Sequence, residues 1–275
     1  MHPAFAAILL LAQLQRLPPQ LIALDSAEGQ ALLFNATARA AYFPLAAQFT
    51  TQRSTAFCGV ASAVMVLNAM PIAAPVAPEY APFRAFTQDN VFGPQSPVTA
   101  EHVAKGGLTL EHLEALLRAN GADVDSWHTN DPSPGTLDLF RARASASLST
   151  PGHHVLVDFD RSELGQDLGA HWSPLAAYDA KSDRFLVLDV ARFRYPPYWA
   201  TAADLFRAMS TFDRDAGQQR GYLLISPHAG APARIEIAPI RHRIYLYGIA
   251  AIAALLLLGG AIGFVLGRRS KRQTE

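Results

Sequence analysis

The sequence predicts an α+β domain, a helical half followed by an antiparallel sheet half, with a transmembrane helix near the C-terminus. Three observations carry this. Residues 60–70 are almost wholly apolar, with only Ser62 and Asn68 polar, and Pro71 ends the run; an apolar run with no polar face reads as a helix buried on all sides. Residues 154–159, 171–179 and 184–190 are short apolar runs, and Ala180-Lys181-Ser182-Asp183 supplies turn chemistry between the last two, the pattern of an antiparallel hairpin. Residues 244–266 carry no charge, and at 1.5 Å per residue they would extend about 34 Å, enough for a bilayer core.

Composition limits the function classes. The chain has 275 residues, half of them hydrophobic, so it has material for a sizeable core. Lys+Arg and Asp+Glu are equal at 23 each, which argues against a nucleic-acid partner and against an acidic disordered tail. The single cysteine, Cys58, excludes an internal disulfide and any zinc site built on several cysteines.

In chain order, residues 1–16 open with MHPAFAAILLLAQ, an apolar run in the range of a signal-peptide h-region or N-terminal anchor, although no Lys or Arg precedes it. Residues 17–50, with Leu17-Pro18-Pro19, are expected to form an extended lead-in. Cys58 should open the helix that follows. There, free backbone N–H groups and the positive dipole end would lower its thiol pKa. Gln52 would aim a side-chain amide at an oxyanion. On this stretch alone, a buried apolar thiol is the more ordinary reading. The proline-rich residues 71–97 are long for a loop without structure, as lids and binding edges often are. Thr109 can cap a helix that ends at Gly121, with Leu110, Leu113, Leu116 and Leu117 on its core face. A further helix begins near Leu137, another covers residues 201–210, and residues 221–226 form the last strand. The domain is thus expected over 17–227, with a linker over 228–243, the span over 244–266 and a basic tail over 267–275. Arg268, Arg269, Lys271 and Arg272 outnumber Arg241 and Arg243, so the positive-inside rule puts the tail in the cytoplasm and the domain outside it, in a periplasm where there is one.

A lone cysteine becomes a candidate nucleophile where a base and an orienting group exist. His171 opens one strand of the predicted hairpin and Asp189 lies near the end of the other, in roughly opposed positions across the ladder. That is the arrangement of a Cys–His–Asp triad, in the chain order of papain-like enzymes. His102, His112, His128, His153 and His154 compete for the role of base, and the hairpin argument singles out His171.

Three motifs then converge on one resemblance. They are Gln52…Ala56-Phe57-Cys58-Gly59-Val60-Ala61-Ser62…Val66-Leu67-Asn68-Ala69, Gly169-Ala170-His171-Trp172-Ser173-Pro174, and Leu188-Asp189-Val190-Ala191-Arg192-Phe193-Arg194-Tyr195-Pro196-Pro197, with Val103-Ala104-Lys105-Gly106-Gly107-Leu108-Thr109 between the first two. In this order they resemble the phytochelatin synthase family from about residue 17 to about residue 227. The resemblance implies a papain-like fold with Cys58 as nucleophile, His171 as base, Asp189 as orienting group and Gln52 completing the oxyanion hole. It implies that glutathione is the small-molecule substrate. Cleavage at its Cys–Gly bond leaves γ-glutamylcysteine as a thioester on Cys58, and water or a second glutathione resolves it, the latter giving phytochelatin for heavy-metal detoxification. Arg192, three residues past Asp189, is a candidate to bind a substrate carboxylate, with a structural salt bridge as the other reading.

The sequence departs from plant members in having a membrane span where they carry a cysteine-rich C-terminal domain, and no cysteine besides Cys58. It resembles the short bacterial members, in which glutathione hydrolysis is the expected main activity. No cofactor is required. Heavy-metal ions would enter as metal–glutathione thiolate substrate or activator, and no protein metal site is expected. The oligomeric state is open, with a homodimer among the options. Two other functions remain open: a membrane-anchored papain-like peptidase with another peptide substrate, and a binding module without activity. The intact Gln52, Cys58, His171 and Asp189 argue against the second.

Overall fold

The computed structural model describes residues 15–130, 134–167 and 169–228. All of these fall in one compact unit. The expected apolar N-terminal segment lies outside the described residues except for its last two positions, and the span over 244–266 lies wholly outside them. Among the described residues, no helix is long and apolar enough to cross a membrane.

The fold combines helices with an antiparallel sheet. The helices are α1 (Ala27–Asn35), α2 (Tyr42–Ala47), α3 (Cys58–Ala69), α4 (Ala100–Gly106), α5 (Leu110–Ala119), α6 (Pro134–Ser149) and α7 (Ala202–Met209). Seven strands form the main sheet: β1 (Ile22–Ala23), β2 (Ala122–His128), β3 (His154–Asp160), β4 (Ala170–Asp179), β5 (Arg184–Val187), β6 (Tyr198–Thr201) and β9 (Gly221–Pro227). A separate two-stranded ribbon pairs β7 (Phe212–Asp213) with β8 (Gln218–Gln219). The sheet order is β1-β6-β5-β4-β3-β9-β2, and every pairing is antiparallel.

The centre of the sheet is covered on both faces. Successive strand side chains point to opposite sides, yet β3 is buried from His154 to Phe159 and β4 from His171 to Asp179. α3 packs on β4, α2 and α5, while α6 and α7 pack on β3 and on each other. Eleven of the twelve α3 residues are buried, as the missing polar face requires. Removing Leu67 or Met65 to alanine there should cost about 2–5 kcal/mol through cavity formation.

The expected elements of the second half are present with small shifts. Thr109 caps α5 through His112 N–H, and Thr201 caps α7 through Asp204 N–H. The expected strand over 184–190 is shorter, because β5 stops at Val187. Asp189 then turns its carboxylate inward, where it accepts the Ala191 N–H at 2.9 Å, and this local bond replaces the ladder. Residues 17–50 correct the expected extended lead-in: they hold β1, α1 and α2. Ser26 caps α1 through Gly29 N–H, and β1 pairs with β6 to close the sheet edge. In the connection over 71–97, Asn68 holds Phe86 by two hydrogen bonds of 2.9 Å, and Phe86 and Val91 join the core. The segment is therefore anchored to the domain.

Candidate active site

Three segments meet at Cys58. The residue opens α3, so its backbone N–H and those of the next residues have no intrahelical acceptor. Helix and sheet approach closely here. A Cβ added at Gly59 would lie 3.3 Å from side-chain atoms of both Leu108 and Trp172, so a larger residue here would require both to give way by a few tenths of an ångström. Trp172 is fixed by its indole N–H donating to the Leu108 carbonyl at 2.9 Å, and its own carbonyl accepts from Ser62 Oγ at 3.2 Å.

β4 carries His171 beside Trp172. His171 pairs with Phe159 across the β3–β4 ladder, and the two rings meet edge to face at 5.6 Å. Its Nε2 lies 3.0 Å from Asp189 Oδ1 and 2.9 Å from Ser173 Oγ. A carboxylate only accepts, so this geometry assigns the proton to Nε2 and leaves the Nδ1 lone pair free to act as base.

Asp189 is fully buried and has, besides His171, a cationic neighbour that sequence reasoning missed. Arg161 Nη2 donates to Asp189 Oδ1 at 2.8 Å, and Nη1 lies 2.8 Å from Oδ2. Arg161 Nη1 also donates to Gln166 Oε1 at 2.8 Å. Arg161 follows β3 directly in a short 3-10 turn (Arg161–Leu164). Burial would raise the Asp189 carboxyl, but His171 and Arg161 together hold it well below the usual carboxylate range. Burial also lowers the His171 pKa; Asp189 opposes this, and Arg161 and Arg194 reinforce it. Burial thus favours the neutral imidazole.

The thiol runs against the sequence expectation. Burial pushes Cys58 up to about 11, more than the backbone N–H groups of Trp172 and Gly59 pull it down, and the Asp158 charge adds to the rise. A helix N-terminus lowers a thiol pKa where solvent supports the charge; here burial wins. Neither Cys58 nor His171 is among the main influences on the other. The site therefore rests as a neutral thiol and a neutral imidazole.

Gln52 is buried with its Nε2 donating to the Ser54 carbonyl at 2.7 Å, and its backbone N–H donates to Val190 at 3.0 Å. Gln52 Oε1 is buried without a hydrogen-bond partner. Arg192 is not brought to the thiol. It is exposed, stacks 4.5 Å over the Phe49 ring and donates to the Phe49 carbonyl at 3.3 Å. Among the competing histidines, His154 is fully buried in β3 and pushed down to about 4 by burial. His128 contacts Glu111 at 2.9 Å.

A cavity of about 490 Å³ opens beside Cys58, within the usual range for small-molecule sites. Its wall brings together Asp158, Asp213 and Arg220, which sequence reasoning did not identify. Arg220 Nη1 lies 3.3 Å from Asp158 Oδ2 and 3.4 Å from Asp213 Oδ2. Burial pushes the Asp158 carboxyl up to about 8; Arg220 opposes the rise, while Asp213 and Asp160 add to it.

A family model described as phytochelatin synthase matches residues 12–222. Glutathione gamma-glutamylcysteinyltransferase 3 of Lotus japonicus is 34% identical over 227 residues, which are 82% of this chain and 46% of that protein. Glutathione gamma-glutamylcysteinyltransferase 1 of Arabidopsis thaliana is 35% identical over 215 residues, 76% of this chain and 43% of that protein. The glutathione gamma-glutamylcysteinyltransferase of Schizosaccharomyces pombe is 31% identical over 216 residues, 78% of this chain and half of that protein. The chain spans about half the length, or less, of these curated relatives. With the match to the family model over most of its length, the chain belongs to the phytochelatin synthase family.

Proposed function

We propose that this chain cleaves the Cys–Gly bond of glutathione through a thioester on Cys58, in a papain-like site. The observation that carries this reading is the cavity beside Cys58, with charges of both signs on its wall and the His171–Asp189–Arg161 chain close by. The names of the relatives support the substrate. The γ-glutamyl end of glutathione carries an ammonium and a carboxylate on one carbon; Asp158 and Asp213 suit the first and the Arg220 guanidinium the second.

Because thiol and imidazole both rest neutral, attack is coupled to proton transfer. As Sγ bonds to the carbonyl carbon, its proton moves to His171 Nδ1, and Asp189 stabilises the imidazolium. The oxyanion takes the Cys58 backbone N–H and the second N–H of the Gln52 amide, the first being given to Ser54. Collapse breaks the C–N bond, and His171 returns the proton to the departing glycine amine. Water, or the amine of a second glutathione, then attacks the thioester while His171 accepts its proton. Arg192 keeps a role as a carboxylate contact at the outer edge. Metal ions belong to this reading as thiolate complexes of the substrate. Residues 244–266 would anchor the domain outside the cytoplasm, a placement supported by the charge asymmetry around them.

Incubation of the purified chain with glutathione should release free glycine, and Cys58→Ala should abolish the release. No glycine from the wild type, with or without zinc or cadmium, would overturn the proposal. Cleavage of other peptides with glutathione left intact would favour the broader peptidase reading.

A further inference from the structure

Behind His171, the contacts of the Asp189 carboxylate are unevenly divided between its oxygens. Oδ1 has Arg161 Nη2 at 2.8 Å, the Ala191 N–H at 2.9 Å and His171 Nε2 at 3.0 Å. Oδ2 takes no hydrogen bond among the described residues, although Arg161 Nη1 lies 2.8 Å away. An arginine and a carboxylate left to themselves pair as two forks, with two parallel bonds. Here Nη1 donates instead to Gln166 Oε1, also at 2.8 Å. Gln166 is buried and held by its own segment: its backbone N–H donates to the Arg161 carbonyl at 3.1 Å, across a turn that Gly165 closes with a φ of +70°. The Tyr198 hydroxyl, fully buried on β6, donates to the same Oε1 at 3.3 Å. Two donors on one oxygen fix which end of the amide faces Arg161.

We infer that Gln166 is a positioning residue for the cleavage reaction, holding Arg161 Nη1 so that Asp189 keeps Oδ1 on His171 Nε2. If Nη1 aligned with Oδ2, the carboxylate would be drawn into the plane of the guanidinium. Oδ1 would then leave its place between Arg161, Ala191 and His171. A guanidinium giving two bonds would also take more of the carboxylate's charge and leave less to stabilise an imidazolium. His171 Nε2 has another oxygen at hand, Ser173 Oγ at 2.9 Å. That neutral acceptor specifies the same tautomer but stabilises the charged ring less. Gln166 thus decides whether the imidazole leans on a carboxylate or on a hydroxyl. This inference rests on the proposed cleavage reaction and adds to its nucleophile, base and orienting group the residue that sets the carboxylate's angle.

The test uses the full chain and proton NMR at neutral pH. The His171 Nε2–H should give a downfield resonance whose position follows its bond to Asp189, and its loss in His171→Gln assigns it. Gln166→Met removes the acceptor, and Gln166→Asn, the milder change, withdraws it by one methylene. In both, the resonance should move upfield, and kcat for glycine release should fall about tenfold with KM unchanged. Gln166→Glu keeps an oxygen for Arg161 and Tyr198, and should restore the downfield resonance and most of kcat. A resonance that stays in place in either Gln166→Met or Gln166→Asn, whatever the loss of melting temperature, would reduce Gln166 to a structural contact and overturn the inference. An equal upfield shift in all three variants, or no downfield resonance in the wild type, would overturn it as well. The resonance is read without turnover. Absence of glycine release by the wild-type chain would therefore count against the cleavage reaction alone.

Discussion

Asp158 and Asp189 are equally buried, at 1% and 0% exposure, yet their ionisation is driven in opposite directions. Asp189 has Arg161 at 2.8 Å, His171 at 3.0 Å and the Ala191 N–H at 2.9 Å, and stays charged. Asp158 shares one guanidinium, at 3.3 to 3.4 Å, with Asp213, and its carboxyl is pushed up to about 8 by burial. The desolvation cost is common to both. The number and closeness of partners decide which carboxylate keeps its charge. Asp189 Oδ1 takes its hydrogen bonds from the protein, Oδ2 has the Arg161 ion pair alone, and the carboxylate serves to orient His171. Asp158 faces the cavity with incomplete compensation, and an incoming ammonium would complete it.

The largest effect should come from removing the charge with the closer partners. Asp189→Asn keeps the shape but no longer specifies the Nε2–H tautomer of His171. Glycine release should fall about 10³- to 10⁴-fold in kcat, and a loss below tenfold would remove Asp189 from the mechanism. Arg161→Met should destabilise the fold by about 3–5 kcal/mol in urea denaturation, because it strands a buried carboxylate. Adding Asp189→Asn should return much of that loss. If the double variant is no more stable than Arg161→Met, the pair is not what links the two residues.

The two aspartates also divide the pH axis. The Asp189 pKa lies below its ordinary 3.8, so its contribution is present above that value and is lost as the solution is made more acidic. Asp158 rises from 3.8 to about 8. The folded state then holds a proton that the unfolded chain has released, and stability falls as pH rises between those values, by at most about 1.4 kcal/mol per pH unit. Asp158→Asn should flatten that decline, shrinking the stability difference between pH 5 and pH 8 on the order of 2 kcal/mol. Denaturation at the two pH values checks it, and an unchanged difference would show that Asp158 is ionised in the folded state throughout.

This contrast explains what was legible in the sequence. α5 and α7 carry capping threonines and helical spacing, and β3, β4 and β9 carry apolar runs, so local chemistry announces them. β2 does not: Asp123, Asp125 and His128 interrupt its pattern, because it is an edge strand paired only with β9. α1 and α2 are short and follow the Leu17-Pro18-Pro19 signal, which masks them. Cys58, His171 and Asp189 stood out because few side chains can serve as nucleophile, base and orienting group. Arg161, Asp158, Asp213 and Arg220 are common residue types on separate segments, and only the folded sheet and the β7–β8 ribbon bring them to one place. The thiol pKa was missed for a related reason: a helix N-terminus is visible in sequence, but the depth at which it is buried is not.

The smallest effect separates the two aspartates at the thiol itself. Asp158 is among the main influences that raise Cys58, whereas Asp189 is not. Alkylation by iodoacetamide follows the thiolate, so its rate in the wild type should climb steeply on the alkaline side, toward a midpoint near 11. Asp158→Asn removes a like charge that is present over that range and should move the midpoint down on the order of half a pH unit. Asp189→Asn should move it less, because its field falls mainly on His171 and Arg161. A larger shift from Asp189→Asn than from Asp158→Asn would mean that the thiol senses the imidazole chain directly. Cys58 and His171 would then form an ion pair before substrate arrives, and coupled proton transfer would no longer be needed.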